Sequence, residues 1–363
     1  MQPDFYTLRF KQRVNSLILS NHMTSNSKFK KPLFAGVDVG GTNVKIGVVD
    51  DLGQVVAETK FPTQPSKSPE IAISHAREEF EKLLGPTEFD WADVVAAGLG
   101  TPGPMSVKDG MILTPTNLLG WHNFPIRSKL AEALDKPVTY VNDAAAAAFG
   151  EYWVGGGQDY DSMVLLTLGT GVGGGVIVND ISIDGANSMG AEVGHMVIET
   201  GPNARVCGCG RPGHLEAYAS ASAVVERTRE AMGKTDSGAE TILRRQSGEA
   251  SPLSALMISN AASAGDELAL RMVSETAMYL GWGIAQLAHI IDPEAFILGG
   301  AMNFGGSDTA LGQNFAAEII QEARKLVFPE IGDHLIVKFA ELEGEAGYVG
   351  AAGLARAEYN RTS

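Results

Sequence analysis

The sequence predicts an α/β protein of two domains that face each other across a cleft. Three observations carry this. Strand-like apolar runs alternate with segments of helical periodicity, the pattern of α/β layers. A strand, glycine turn, strand unit near residue 34 recurs near residue 162, a weak internal duplication opening each half of the chain. And 363 residues with 44% hydrophobic composition exceed a typical single compact core, so two domains are expected.

Residues 1–32 are read as an N-terminal extension. Leu8–Leu19 has apolar residues at roughly helical spacing, but the polar, basic stretch SNHMTSNSKFKK that follows suits a disordered arm equally, and Met23 is an alternative start. Residues 33–142 form the expected first domain. Leu33–Val39 is an apolar strand running into a glycine turn, Lys45–Val49 the return strand, and Asp51-Leu52-Gly53 the next hairpin turn. Gln54–Phe61 reads as a third strand, Ile71–Leu84 as a helix, and Val94–Leu99 as a buried strand ended by GTPGP. Val138–Val141 is a short strand closing on Asn142-Asp143.

The second domain is expected over 143–345. Ala144–Tyr152 is a helix of strong formers. Ser162–Leu168, Gly169-Thr170-Gly171 and Gly173–Val178 repeat the strand, turn, strand theme. A long helix follows over Glu267–Ile291, then a buried strand Ala295–Leu298 ended by Gly299-Gly300, and a strand Leu335–Phe339. Residues 346–363 form a closing helix, centred on Gly347–Glu358, that packs back on the first domain.

The net charge of −15 argues against nucleic acid or an anionic membrane as the main partner. No apolar stretch is long enough to span a bilayer, and the N-terminus lacks the pattern of a secretory signal, so a cytoplasmic location is expected. The 43 glycines cluster, which marks backbone that turns tightly or approaches a ligand.

Four constellations carry chemistry. The first is Asp38 with Gly40, Gly41, Thr42, Asn43 and Lys45, lying between two strands. That setting excludes the P-loop and the dinucleotide fingerprint, both of which need a following helix. Glycines in a hairpin let backbone N–H groups turn toward phosphate oxygens, and Asp38 is placed to hold Mg²⁺ through water. Taken alone it is equally an ordinary hairpin. The second, Gly169, Thr170 and Gly171, repeats the arrangement, and two facing hairpins would clamp a triphosphate. Gly299 and Gly300 are a third candidate, against adenosine. The third is Asn142-Asp143, where a carboxylate ending a strand is either a helix cap or a general base at the ligand crevice. The fourth is Glu192-Val193-Gly194-His195 with the segment Cys207 to Glu216. His195, Cys207, Cys209 and His214 can complete a tetrahedral zinc site, against a glycine-rich loop with incidental thiols.

On these residues the chain, from about Leu33 to its end, resembles the ROK (repressor, open reading frame, kinase) family, and within it the bacterial glucokinases. The most specific stretch is Glu192–Glu216, close to the family signature E-x-G-H…C-x-C-G-x-x-G-C-x-E, with His214 where the family has a third cysteine. The resemblance implies a two-domain actin-like ATPase (ribonuclease H-like) fold with the active site between the domains. It implies an ATP- and Mg²⁺-dependent hexose kinase with structural Zn²⁺, and a homo-oligomer, dimer or tetramer. It implies Asp143 as catalytic base, with Gly100, Asn117, Asn142, Asp143, Glu192, His195 and Glu216 around the sugar.

Rival readings are a sugar-responsive repressor of the same family, a chaperone-like ATPase, and a kinase for N-acetylmannosamine, fructose or allose. Only about 32 residues precede the core, short of the ~50 that a small DNA-binding domain needs. Asn142-Asp143 and E-x-G-H oppose the ATPase reading. With 28 basic residues and no obvious stripe of them, polyphosphate as donor lacks a binding surface.

Overall fold

The computed structural model describes residues 28–64, 68–115, 118–234, 242–246 and 252–362. The Leu8–Leu19 segment and Asn117 lie outside the described residues. The first sheet contains β1 (Leu33–Val39), β2 (Asn43–Val49), β3 (Val55–Pro62), β4 (Val94–Thr101) and, after a small hairpin of β5 (Met105–Ser106) and β6 (Met111–Ile112), β7 (Val138–Asn142). Its order is β3-β2-β1-β4-β7. The second sheet contains β8 (Ser162–Leu168), β9 (Val172–Val178), β10 (Ile181–Ser182), β11 (Ala295–Gly299) and β12 (Val337–Phe339), in the order β10-β9-β8-β11-β12.

The two orders are the same topology. In each, a central strand pairs antiparallel with its own hairpin partner on one side and parallel with a later strand on the other. The duplication glimpsed in two hairpins therefore runs through all five strands.

On the first sheet, α1 (Pro69–Leu84) and α2 (Ile126–Leu134) bury Ile73, Phe80, Ile126 and Leu130 with Val37, Val44 and Leu99. In the second half, α3 (Asp143–Val154) is followed by α4 (Glu216–Ala219), α5 (Ala221–Lys234), α6 (Ile242–Gln246), α7 (Ala255–Ser263), α8 (Glu267–Ile291), α9 (Ala310–Arg324) and α10 (Pro329–His334). The core there joins Val164 and Phe296 to Leu280, Ile284 and Phe315.

The closing helix α11 (Ala346–Thr362) packs on the first sheet, where Tyr348 and Val349 join Phe34, Val49 and Ala96. Helix α3 packs on the second sheet, through Ala148 against Ile177 and Leu165. The two helices cross where both are reduced to small residues. A Cβ on Gly350 would lie 1.7 Å from the Ala146 carbonyl oxygen, and one on Gly150 would lie 2.5 Å from that of Ala346. Beside the crossing, the fully buried Glu151 carboxylate accepts backbone N–H bonds from Gly156 (2.8 Å), Glu341 (3.0 Å) and Leu342 (2.8 Å). Three charge-assisted donors satisfy this buried carboxylate and fasten α3 to the segment entering α11.

Candidate active site

Strands β1, β4 and β7 are parallel and end together. Asp38 is in register with Gly100, Gly100 with Val141, and Thr101 with Asn142. Their carboxyl ends place Asp38, Gly100 and Asn142-Asp143 at one edge, where α/β sheets bind ligands. Gly100 leaves room there: a Cβ would lie 3.6 Å from the Asp143 Cα and 3.3 Å from the Ala146 Cβ.

Helix α3 begins one residue before the sequence expectation, at Asp143 itself. Asn142 is the N-cap, its side-chain oxygen accepting from the Ala144 (2.9 Å) and Ala145 (3.3 Å) amides. Asp143 Oδ1 also accepts from the Ala144 amide, at 2.8 Å. With the cap supplied by Asn142, the Asp143 carboxylate is not needed to start the helix. Burial pushes its pKa up, opposed by hydrogen bonds from the Ala144 and Asp143 amides and from the Asn142 side chain. Asp38 is raised to about 6, by burial first and then by the charge of Asp143, with Lys45 opposing. Two carboxylates at one sheet edge thus resist ionisation, and a carboxylate moved toward neutrality is a better proton acceptor.

The two glycine hairpins are tied down through their carbonyls. Gly40 donates to the Asn43 carbonyl at 2.9 Å, and Thr63 Oγ1 donates to the Gly40 carbonyl at 2.7 Å. Gly169 donates to the Gly171 carbonyl at 3.0 Å, while Ala221 N and Ser222 Oγ hold the Gly169 and Thr170 carbonyls at 2.8 and 3.0 Å. The tips Thr42 and Thr170 stay exposed, with Gly41 half-buried. Gly299 ends β11 beside β8, and Gly300 continues at φ +89°, where a Cβ would lie 2.3 Å from the Leu168 carbonyl oxygen, so both adjoin the second hairpin. Lys45, grouped with the phosphates by its sequence position, donates to the Gly344 carbonyl at 2.7 Å. No sequence signal could pair residues so far apart in the chain.

Glu192 and His195 are carried by a single helical turn, Val193–His195. Gly194 is required there, since a Cβ would lie 2.0 Å from the Val172 carbonyl oxygen. That close approach seats the turn on β9. Partial burial raises the Glu192 pKa, with His195 lowering it and Asp143 and Glu216 raising it. Glu216 opens α4, and its Oε2 accepts from the Val172 amide at 3.0 Å, at the base of the second glycine hairpin. Its Oε1 accepts the Cys207 thiol at 3.3 Å.

The cysteine segment folds as a small knuckle. Cys207 N donates to the Arg211 carbonyl at 2.9 Å, and Gly210 N to the Cys207 carbonyl at 2.8 Å. One ligand atom from each of His195, Cys207, Cys209 and His214 lies within 4.8 Å of the others. His195 Nδ1 is 3.2 Å from His214 Nδ1, Cys207 Sγ is 3.7 Å from His195 Nδ1, and Cys209 Sγ is 3.2 Å from His214 Nδ1. Zn–N and Zn–S bonds of about 2.05 and 2.3 Å give tetrahedral edges of about 3.3 Å between nitrogens and about 3.6 Å between nitrogen and sulfur. The donor set and its spacing fit a zinc ion, and the histidine at position 214 fits as the fourth ligand.

Among the described residues no helix is long and apolar enough to cross a membrane. The ROK family pattern matches residues 34–358. A glucokinase of Halalkalibacterium halodurans is 34% identical over 90% of this chain and 96% of its own. An N-acetylmannosamine kinase of Escherichia coli is 30% identical over 89% of this chain and 98% of its own. The crystal structure of a ROK family glucokinase from Streptomyces griseus, in complex with glucose and AMPPNP, superimposes with a TM-score of 0.72 at 34% identity, covering 90% of this chain and 99% of that one. With its duplicated sheets and the carboxylates at the strand ends of the first, the chain belongs to the ROK family and is a sugar kinase of the two-domain actin-like fold.

Proposed function

We propose that this kinase transfers the γ-phosphoryl group of ATP to glucose, giving glucose 6-phosphate, with Asp143 as general base. The observation that carries the reading is the Asp143 carboxylate: raised by burial, relieved of capping by Asn142, and set at the sheet edge with Gly100 and Asp38. The glucose and AMPPNP bound by the Streptomyces griseus relative support the substrate pair.

In the step, the sugar hydroxyl oxygen forms a bond to the γ-phosphorus as the bond to the bridging oxygen of ADP breaks. The hydroxyl proton passes to an Asp143 oxygen. Phosphoryl transfer needs mainly positioning and charge neutralisation, which the two glycine hairpins provide along the triphosphate. Asn117, Asn142, Glu192, His195 and Glu216 bond the sugar hydroxyls, and leaving any of these polar groups unpaired would disfavour an epimer. Asp38 would hold magnesium through water, and magnesium supplies neutralisation of phosphate charge. His195, Cys207, Cys209 and His214 would hold zinc, and in doing so would order the loop that leads to Glu216. With its Nδ1 facing His214 and Cys207, His195 would keep Nε2 for the sugar. The reading includes a cytoplasmic homo-oligomer, dimer or tetramer.

The test is ADP release over a panel of hexoses and N-acetylhexosamines, with Asp143→Asn as control. Glucose is expected to give the highest kcat/KM, and the variant to lose activity by about 10²–10⁴-fold with its fold intact. Near-normal turnover by Asp143→Asn would sink the mechanism. The 30% identity to an N-acetylmannosamine kinase favours a second reading, and preference for that sugar in the panel would replace glucose by it.

A further inference from the structure

Away from the α3–α11 crossing, the two halves also meet at the sugar side of the cleft. The β5–β6 hairpin belongs to the first half, with Met105 and Ile112 buried in its core. Arg127 on α2 holds the hairpin in place, donating from its guanidinium to the Val107 carbonyl at 3.0 Å and the Lys108 carbonyl at 3.2 Å. The hairpin thereby presents its Val107 amide to the second half. There Ser188 Oγ accepts that amide at 2.9 Å. Ser188 sits in a compact loop after β10, where Gly190 N donates to the Asp184 carbonyl at 2.7 Å and Ser188 N to that of Gly185 at 3.4 Å.

The loop also carries backbone strain. Ser188 has φ +56° and Ala191 has φ +61°, left-handed values that a non-glycine residue adopts at a cost. Ser188 stands four residues before Glu192, and Val107 seven after Gly100. The contact therefore ties together two segments that lead, one in each half, to residues that the proposed function places around the sugar.

We propose that Ser188 is a positioning residue that latches the two halves across the sugar side of the cleft. The Val107 amide is the catch, and the Arg127-held hairpin is its mount. The latch holds the segment leading to Glu192 and His195 against the first half before sugar arrives, so part of the cost of closure is already met. This rests on the kinase reading for its catalytic consequence, but not for its geometry.

The test uses the full chain with Ser188→Ala and Ser188→Gly. Both remove the hydroxyl, and the glycine also relieves the left-handed strain. In sugar-free protein the Val107 amide is expected to exchange with deuterium about five-fold faster in both variants, the factor set by the loss of one ordinary hydrogen bond. With sugar and ATP, the sugar KM is expected to rise by a similar factor while kcat stays within two-fold. Unchanged Val107 exchange in both variants would overturn the latch. So would exchange and KM raised in Ser188→Ala but normal in Ser188→Gly, because strain and not the hydrogen bond would then be responsible. If wild type phosphorylates none of the sugars, the kinase reading fails while the sugar-free exchange still decides the latch.

Discussion

Replacing Asp38 by asparagine separates what the site costs the fold from what it gives the reaction. Burial and the Asp143 charge raise Asp38 from 3.8 to about 6. A carboxyl whose folded pKa lies above its unfolded value penalises the fold when ionised. The penalty is absent below about pH 4, grows between pH 4 and 6, and is complete above pH 6. At 1.36 kcal/mol per unit, the rise corresponds to about 3 kcal/mol, and the residual solvent contact of the half-buried side chain lowers this to about 2–3 kcal/mol. Asparagine is nearly isosteric and cannot ionise. With an unfolding entropy of about 2 cal/mol/K per residue over about 330 folded residues, Asp38→Asn should raise the Tm by about 3–4 °C at pH 7.5. The assay is thermal unfolding of both proteins at pH 4 and pH 7.5, in buffer free of nucleotide and magnesium. The difference should vanish at pH 4. The same variant should lose most of its sugar-dependent ADP formation, a trade of activity for stability. A Tm gain that persists at pH 4, or a variant no more stable than wild type at pH 7.5, would refute the electrostatic argument.

Three further outcomes are expected. Because the Asp143 pKa is raised by burial, kcat/KM should fall on acidification at a pH above the ordinary carboxylate range, and an acid limb below pH 4 would contradict it. Purified protein should carry about one zinc per chain by elemental analysis, and Cys209→Ser should carry clearly less; full activity with no zinc would remove the metal from the account. Gly194→Ala should destabilise the protein by about 1–3 kcal/mol and raise the sugar KM, since its methyl meets the Val172 carbonyl; calorimetry with sugar titration reads both.

Much of this was legible in the sequence, for local reasons. The Glu267–Ile291 helix and the Leu33–Val39 strand have the bounds their periodicity predicts, because each writes its whole pattern into consecutive residues. The two glycine hairpins announced the duplication, but its later strands did not. β4, β7, β11 and β12 join by parallel pairing over long separations that leave no local mark. The two-residue strands β5 and β6 are too short for periodicity, and the latch that they mount went unread with them. Strand β12 starts at Val337 and not at Leu335, because Leu335 closes α10. The site shows the same division. Cys207, Cys209, His195 and His214 were readable as a set because four metal-ligand side chains lie within 20 residues of sequence. The partner of Lys45, the role of Glu151 and the charge that Asp143 imposes on Asp38 all depend on tertiary neighbours.

The crossing of α3 and α11 has a mechanical consequence. Two backbones touch there directly, Gly350 on Ala146 and Gly150 on Ala346, with no long side chain between them. Such a joint turns like the rivet of a pair of scissors. A rotation about it would require no long side chain at the crossing to change rotamer. One blade begins at Asp143, and the other begins at Ala346, four residues before Gly350 and beside Asp38 and Lys45, so a small rotation at the joint becomes a displacement of the Asp143 carboxylate relative to that of Asp38. Bulk added at the rivet would not merely loosen the tool; it would reset the angle at which the blades rest.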